Sequence, residues 1–161
     1  MSAPAPNRRS AMLRAIELAI GAVEENRGGP FGAVILKDGV VLAEGENRVT
    51  SDGDPTAHAE IVAIRAACER LGSHILAGCE IVSSCEPCPM CLAAIEWARL
   101  DHLTFAATRH DAAEAGFDDE RLYGELAKAP EERELPTDSI MREEALGAFR
   151  AWEAKEDRKP Y

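Results

Sequence analysis

No apolar run in this 161-residue chain approaches the roughly 20 residues that a bilayer-spanning helix needs. The opening MSAPAPNRRSAM lacks the uninterrupted apolar stretch of a secretory signal, so a cytoplasmic protein without membrane contact is expected. Basic charge is scarce. Lys and Arg number 18 against 29 Asp and Glu, for a net charge of -11. Arg8, Arg9, Arg14 and the late basic residues are interleaved with acids, so no basic patch forms. That disfavours a polyanionic nucleic-acid partner and favours a small neutral substrate. An even cysteine framework is missing too: there are five cysteines, and three of them fall within Cys85–Cys91. Such clustering points to a metal or to catalysis rather than to disulfides. Neither an internal repeat nor a linker interrupts residues 1–161, which read as one α/β domain with helices on both faces of a central sheet.

What is present follows a regular order. Residues 9–25 read as an amphipathic helix, with Met12, Leu13, Ile16, Ile20 and Val23 at helical spacing and Ser10 as its cap, behind a disordered lead-in at Ala3–Pro6. Gly28-Gly29-Pro30 stops it. Two β-prone runs flank Asp38-Gly39, a type I′ hairpin signal. A polar loop follows at 48–53, and Asp54-Pro55-Thr56 opens a helix that ends at Gly72. A strand at 80–84, a helix from Cys88 and a strand at 103–107 come next. An acidic loop at 111–119, a helix at 120–127, a short strand at Ser139–Met141 and a helix at 143–156 complete the chain.

Chemistry concentrates in two stretches. His58-Ala59-Glu60 is followed, fewer than 30 residues on, by Cys85-Glu86-Pro87-Cys88-Pro89-Met90-Cys91. His58, Cys88 and Cys91 provide three nitrogen and sulfur donors, one short of a closed tetrahedral site, which is the catalytic form of zinc. Cys88 and Cys91 are i and i+3 at a helix start, where thiolates are favoured. Glu60, two residues from His58, is the proton carrier beside the metal. A structural zinc site would want a fourth ligand, and Cys85 before Pro87 is the nearby candidate. A redox C-x-x-C leaves His58 and Glu60 without a role. Cys68 and Cys79 read as buried structural thiols, Glu86 as a partly exposed loop residue, and His74, His102 and His110 as surface or ordinary packing residues.

The motif H-A-E…P-C-P-M-C resembles the cytidine deaminase-like superfamily. The stretches GGPFGAV (28–34), DPTAHAE (54–60), SCEPCPMC (84–91) and AAEAGFDDE (112–120), with the terminal tyrosine, resemble its bacterial-type guanine deaminase branch. This resemblance implies a three-layer α/β/α cytidine deaminase-like fold with a central mixed five-stranded sheet. It implies one Zn2+ per subunit and a homodimer that swaps a C-terminal helical segment, about 143–161, to close the partner's pocket. Asn47 then binds the base, Phe31 and Trp97 surround it, Asp119 and Tyr161 close over it, and the Ala59 N–H helps hold it. The implied reaction takes guanine and water to xanthine and ammonia. Guanosine, cytosine or an ammeline-like triazine remain open as substrates. So do tRNA adenosine, against which the acidic charge counts, and a non-catalytic zinc scaffold, against which Glu60 counts.

Overall fold

A computed structural model describes residues 6–160. Residues 1–5 and Tyr161 lie outside it, and with them most of the expected lead-in and the pocket-closing tyrosine. The chain divides into two compact units, with the boundary between Tyr123 and Gly124.

The first unit opens with α1 (Pro6–Glu24), then β1 (Gly32–Lys37) and β2 (Val40–Glu46). A single turn, α2 (Val49–Asp52), precedes α3 (Ala59–Leu71), β3 (Cys79–Cys85), α4 (Pro89–Trp97) and β4 (His102–Ala107). Helix α5 (Arg109–Glu114) and the start of α6 (Asp119–Ala127) close the unit. The sheet order is β2-β1-β3-β4. β1 is antiparallel to β2 and β3, whereas β3 and β4 run parallel through the α4 crossover. The sheet is mixed, as expected, but among the described residues it has four strands rather than five.

Alternation along β1 sorts the layers. Ala33 and Ile35 join Ala63, Ala67, Ile81 and Ile95 in the core beneath α3 and α4, while Val34 and Leu36 pack with Ala11, Ala15 and Val82 beneath α1. The hairpin forms as expected: Asp38 and Gly39 both have positive φ, at 51° and 75°. Arg8 clamps the start of α1 to β3 through two bonds to Glu80, at 2.6 and 2.9 Å.

Several local expectations are corrected. Helix α1 turns its alanines to the sheet: Ala11, Ala15, Ala19 and Ala22 are buried, whereas Leu13 is 56% and Ile20 53% exposed. The reason is close approach. A Cβ on Gly32 would stand 2.1 Å from the Ala15 carbonyl oxygen, so the helix backbone lies directly on β1 and only small residues fit between. Ser10 accordingly sits inside α1, which begins at Pro6. Asp54-Pro55-Thr56 forms a turn ahead of α3 instead of opening it, with Asp54 Oδ1 accepting from Thr56 N and Oγ1 at 2.8 and 2.7 Å. Helix α3 starts later, with His58 at the N-cap position, and ends as expected at Gly72. The acidic stretch after β4 is partly helical, because Thr108 and Asp111 form a capping box for α5.

The second unit contains the end of α6, a 3-10 turn (Pro130–Glu132) and α7 (Arg142–Ala154). No residue of α7 is buried, and Phe149 is 65% exposed. The strand expected at Ser139–Met141 does not form. Ile140 is 78% exposed, and Met141 adopts φ 55°, ψ 39° as it enters α7, which a β-strand does not permit.

Candidate active site

The two chemically loaded stretches meet at two helix starts. His58 occupies the N-cap position of α3 and Cys88 that of α4, with Pro89 in the first turn of α4. His58 Nδ1 lies 3.6 Å from Cys88 Sγ and 3.5 Å from Cys91 Sγ. Tetrahedral zinc, with Zn–S of about 2.3 Å and Zn–N of about 2.05 Å, sets sulfur and nitrogen about 3.6 Å apart. The three donors are therefore spaced as zinc ligands are, and they are the one group of metal donors found among the described residues. Their electrostatics agree. The Cys88 thiol is pulled down to about 4, chiefly by the hydrogen bond from Cys91 and further by His58. The Cys91 thiol is pushed up by that same bond and by burial. Hydrogen bonding to Cys88 raises the His58 pKa. Without a metal the thiolate is thus favoured at Cys88 alone, and binding a cation would displace the protons that Cys91 and His58 hold.

Glu60 lies one residue into α3 and is buried, with its Oε1 accepting from Ser83 Oγ at 3.1 Å. Burial raises its pKa. Cys85 stays outside the donor group: it is buried at the end of β3, its Sγ is 3.6 Å from the Thr108 carbonyl, and burial pushes its thiol up to about 11.

A cavity of about 260 Å³ opens in front of these groups, lined by His58, Glu60, Cys88, Phe31, Asn47 and Asp119 together with Gly29, Val49, Thr50, Glu86 and Phe117. Asn47 is held from behind. Its Oδ1 accepts from Gly29 N at 3.1 Å and Val49 N at 3.3 Å, which identifies that atom as the oxygen and leaves the amide NH2 as its donor side. Gly28 permits this arrangement, because a Cβ there would stand 1.9 Å from the Asn47 carbonyl oxygen. Phe31 meets Phe117 edge to face, with centroids 4.8 Å apart. Asp119 opens α6 at the cavity wall, and its pKa is raised, first by burial and then by Cys88.

Of the residues expected at the site, Ala59 is buried in the first turn of α3 but its side chain does not line the cavity. Trp97 is the exception. It ends α4, is 59% exposed, carries the Arg99 guanidinium 5.8 Å from its ring centroid, and does not line the cavity of this subunit. Ser83, Phe117 and Glu86 join the site without having been singled out for it. A serine within the apolar, fully buried run of β3 was a readable signal for Ser83. Phe117 and Glu86 offer no comparable local pattern.

Residues 6–107 match the family model described as the cytidine and deoxycytidylate deaminase zinc-binding region. The chain belongs to this zinc-binding deaminase family. Guanine deaminase from Bacillus subtilis is 50% identical over 155 residues, covering 96% of this chain and 99% of that one. The crystal structure of that enzyme matches with a TM-score of 0.92 over 95% of this chain and 98% of the other. A structure of guanine deaminase from Nitrosomonas europaea matches with a TM-score of 0.65 at 30% identity, over 94% of this chain and 75% of its own. The tRNA-specific adenosine deaminase of Aquifex aeolicus is 44% identical over 78 residues, which is 48% of this chain and 52% of that one. The α/β/α layering with a mixed sheet is thus that of a deaminase, and the donor group sits inside the segment that defines the family.

Proposed function

We propose that this deaminase converts guanine and water to xanthine and ammonia. One observation carries the choice of base. The likeness to a guanine deaminase runs through 96% of the chain, past β4, through Asp119 and into the second unit, whereas that to a tRNA-specific adenosine deaminase covers 48%. Asp119 and Phe117, which line the cavity, lie beyond residues 6–107, the segment that matches the family model.

His58, Cys88 and Cys91 are the residues that would hold zinc. Zinc bound there supplies a Lewis acid that makes water a nucleophile near neutral pH. Glu60 moves the protons. Held by Ser83, Glu60 takes a proton from water as the oxygen bonds to the amine-bearing carbon, passes it to the adjacent ring nitrogen, and then moves the remaining hydroxyl proton to the amine, which leaves as ammonia when the C–N bond breaks. Burial favours the protonated form that must exist between those transfers. The Asn47 amide NH2 donates to acceptors of the purine, and Asp119 accepts from its N–H groups. Phe31, braced by Phe117, covers the ring. The Ala59 N–H, in the first turn of α3, contributes a backbone donor.

The protein acts as a homodimer in which the C-terminal segment, about 143–161, packs on the partner and brings Tyr161 to its pocket. The exposed Phe149 on α7 and the exposed face of α1 support this, as does a second, apolar cavity of about 550 Å³ along Ile16, Ile20 and Val23. A residue such as Trp97 is then available to an interface. The test is ammonia release from the zinc-loaded protein with guanine, guanosine, adenine, cytosine and ammeline. Turnover of guanine above the others is the expected result. Preference for any other member of the panel, or silence on all of them, overturns the reading.

A further inference from the structure

We propose that Tyr123 is a positioning residue: its hydroxyl latches α6, and with it Asp119, to the loop that carries Cys88. The proposal rests on the reading of Asp119 as a base contact in a guanine deaminase. It starts from a mismatch between packing and role. No residue of α6 is buried, so the helix is not held by a core, yet its first residue lines the catalytic cavity. Something other than apolar packing must fix the carboxylate of Asp119 relative to the metal donors.

Tyr123 stands four residues after Asp119, so the two side chains share one face of α6. The Tyr123 hydroxyl donates to the Pro87 carbonyl at 2.8 Å. Pro87 is buried and immediately precedes Cys88. The ring is seated as well: the Arg109 guanidinium lies 4.7 Å from its centroid. Arg109 in turn donates its backbone N–H to Glu86 Oε2 at 3.0 Å, and the Glu86 N–H donates to the Ala107 carbonyl at 2.8 Å. These contacts enclose the Glu86–Cys88 turn and tie α6 to it. On the other side of Asp119, Phe117 packs on Phe31, so the carboxylate is suspended between two anchors. Two further polar contacts of this region, His110 with Glu120 at 3.4 Å and Arg121 with Asp118 at 3.8 Å, are exposed and hold little.

Tyr123→Phe isolates the latch, because it removes the hydroxyl and keeps the ring under Arg109. Zinc-loaded wild type, Tyr123→Phe, Asp119→Asn and the double variant are compared by guanine kinetics, zinc content and amide hydrogen exchange. Loss of one ordinary hydrogen bond predicts a KM about fivefold higher in Tyr123→Phe, with kcat and zinc content within about twofold of wild type. The same substitution leaves KM unchanged in the Asp119→Asn background, since the two residues act as one. Amides at 119–123 exchange about fivefold faster while those of α3 do not change. Unchanged exchange at 119–123 overturns the latch. Faster exchange without a change in KM, a KM effect that persists beside Asp119→Asn, or a loss of zinc overturns its link to Asp119. If wild type does not turn over guanine, the functional reading fails on its own, and exchange at 119–123 alone decides the latch.

Discussion

The two units of this chain differ in what holds them. In the first, every strand is paired and the buried apolar residues form two clusters on opposite faces of one sheet. In the second, no residue of α7 is buried, and Leu135, Ile140 and Phe149 are largely exposed. The lesson is a division of labour. The first unit holds the buried clusters and the candidate groups for the chemistry. The second carries apolar side chains that gain nothing until another surface covers them.

That contrast can be broken at several points. Removing the metal has the largest expected effect. Chelation should abolish ammonia release and lower Tm by roughly 10 °C, taking zinc at about a thousand times its Kd as about 4 kcal/mol and about 2–4 °C per kcal/mol; added zinc should restore both. Calorimetry beside an activity assay checks it, and full activity in the chelated protein would remove the metal from the account. Next comes the core. Ile35→Ala, at a fully buried position of β1, should cost about 2–5 kcal/mol in chemical denaturation. Phe149→Ser should change the stability of the isolated subunit by less than about 0.5 kcal/mol, as exposed sites do. It should nonetheless weaken the proposed dimer, read as a mass in light scattering that falls on dilution. An equal loss of subunit stability at both positions would erase the distinction between the units. The smallest effect is electrostatic. The Arg8 hydrogen bond lowers the Glu80 pKa, so this pair stabilises the fold above the ordinary glutamate range, and its contribution is lost as pH falls through the lowered pKa. Arg8→Ala should therefore reduce stability slightly at pH 7, and by progressively less as pH falls below the ordinary glutamate range, measured by urea titration across that range.

The parts of the fold set by local chemistry were readable in the amino-acid sequence. Asp38-Gly39 makes its turn because both residues tolerate positive φ, and Gly72 ends α3 for the same reason. The metal donors were readable because residue type and spacing suffice. Other features depend on contacts that no window of sequence contains. Helix α1 has two apolar stripes, and the choice of the alanine stripe is made by Gly32 on a different element. The Ser139–Met141 run has strand composition but finds no partner strand among the described residues. At the site, the bond from Ser83 to Glu60 and that from Tyr123 to Pro87 join residues 23 and 36 positions apart, so no local window reveals either pairing, even where the buried serine itself stands out. Trp97 shows the opposite limit: a helix position named for the pocket by family likeness lies off the cavity within one subunit.

The central claim is that Glu60 carries protons beside a zinc site built by His58, Cys88 and Cys91. Glu60→Gln tests it most directly, since glutamine keeps an acceptor for Ser83 and the shape of the side chain while removing the transferable proton. Zinc content and guanine turnover are measured on the same sample. The account predicts a full complement of zinc and a kcat lower by about 10²–10⁴, the usual share of general acid–base catalysis. A zinc-loaded Glu60→Gln protein that deaminates guanine at close to the wild-type rate would contradict it.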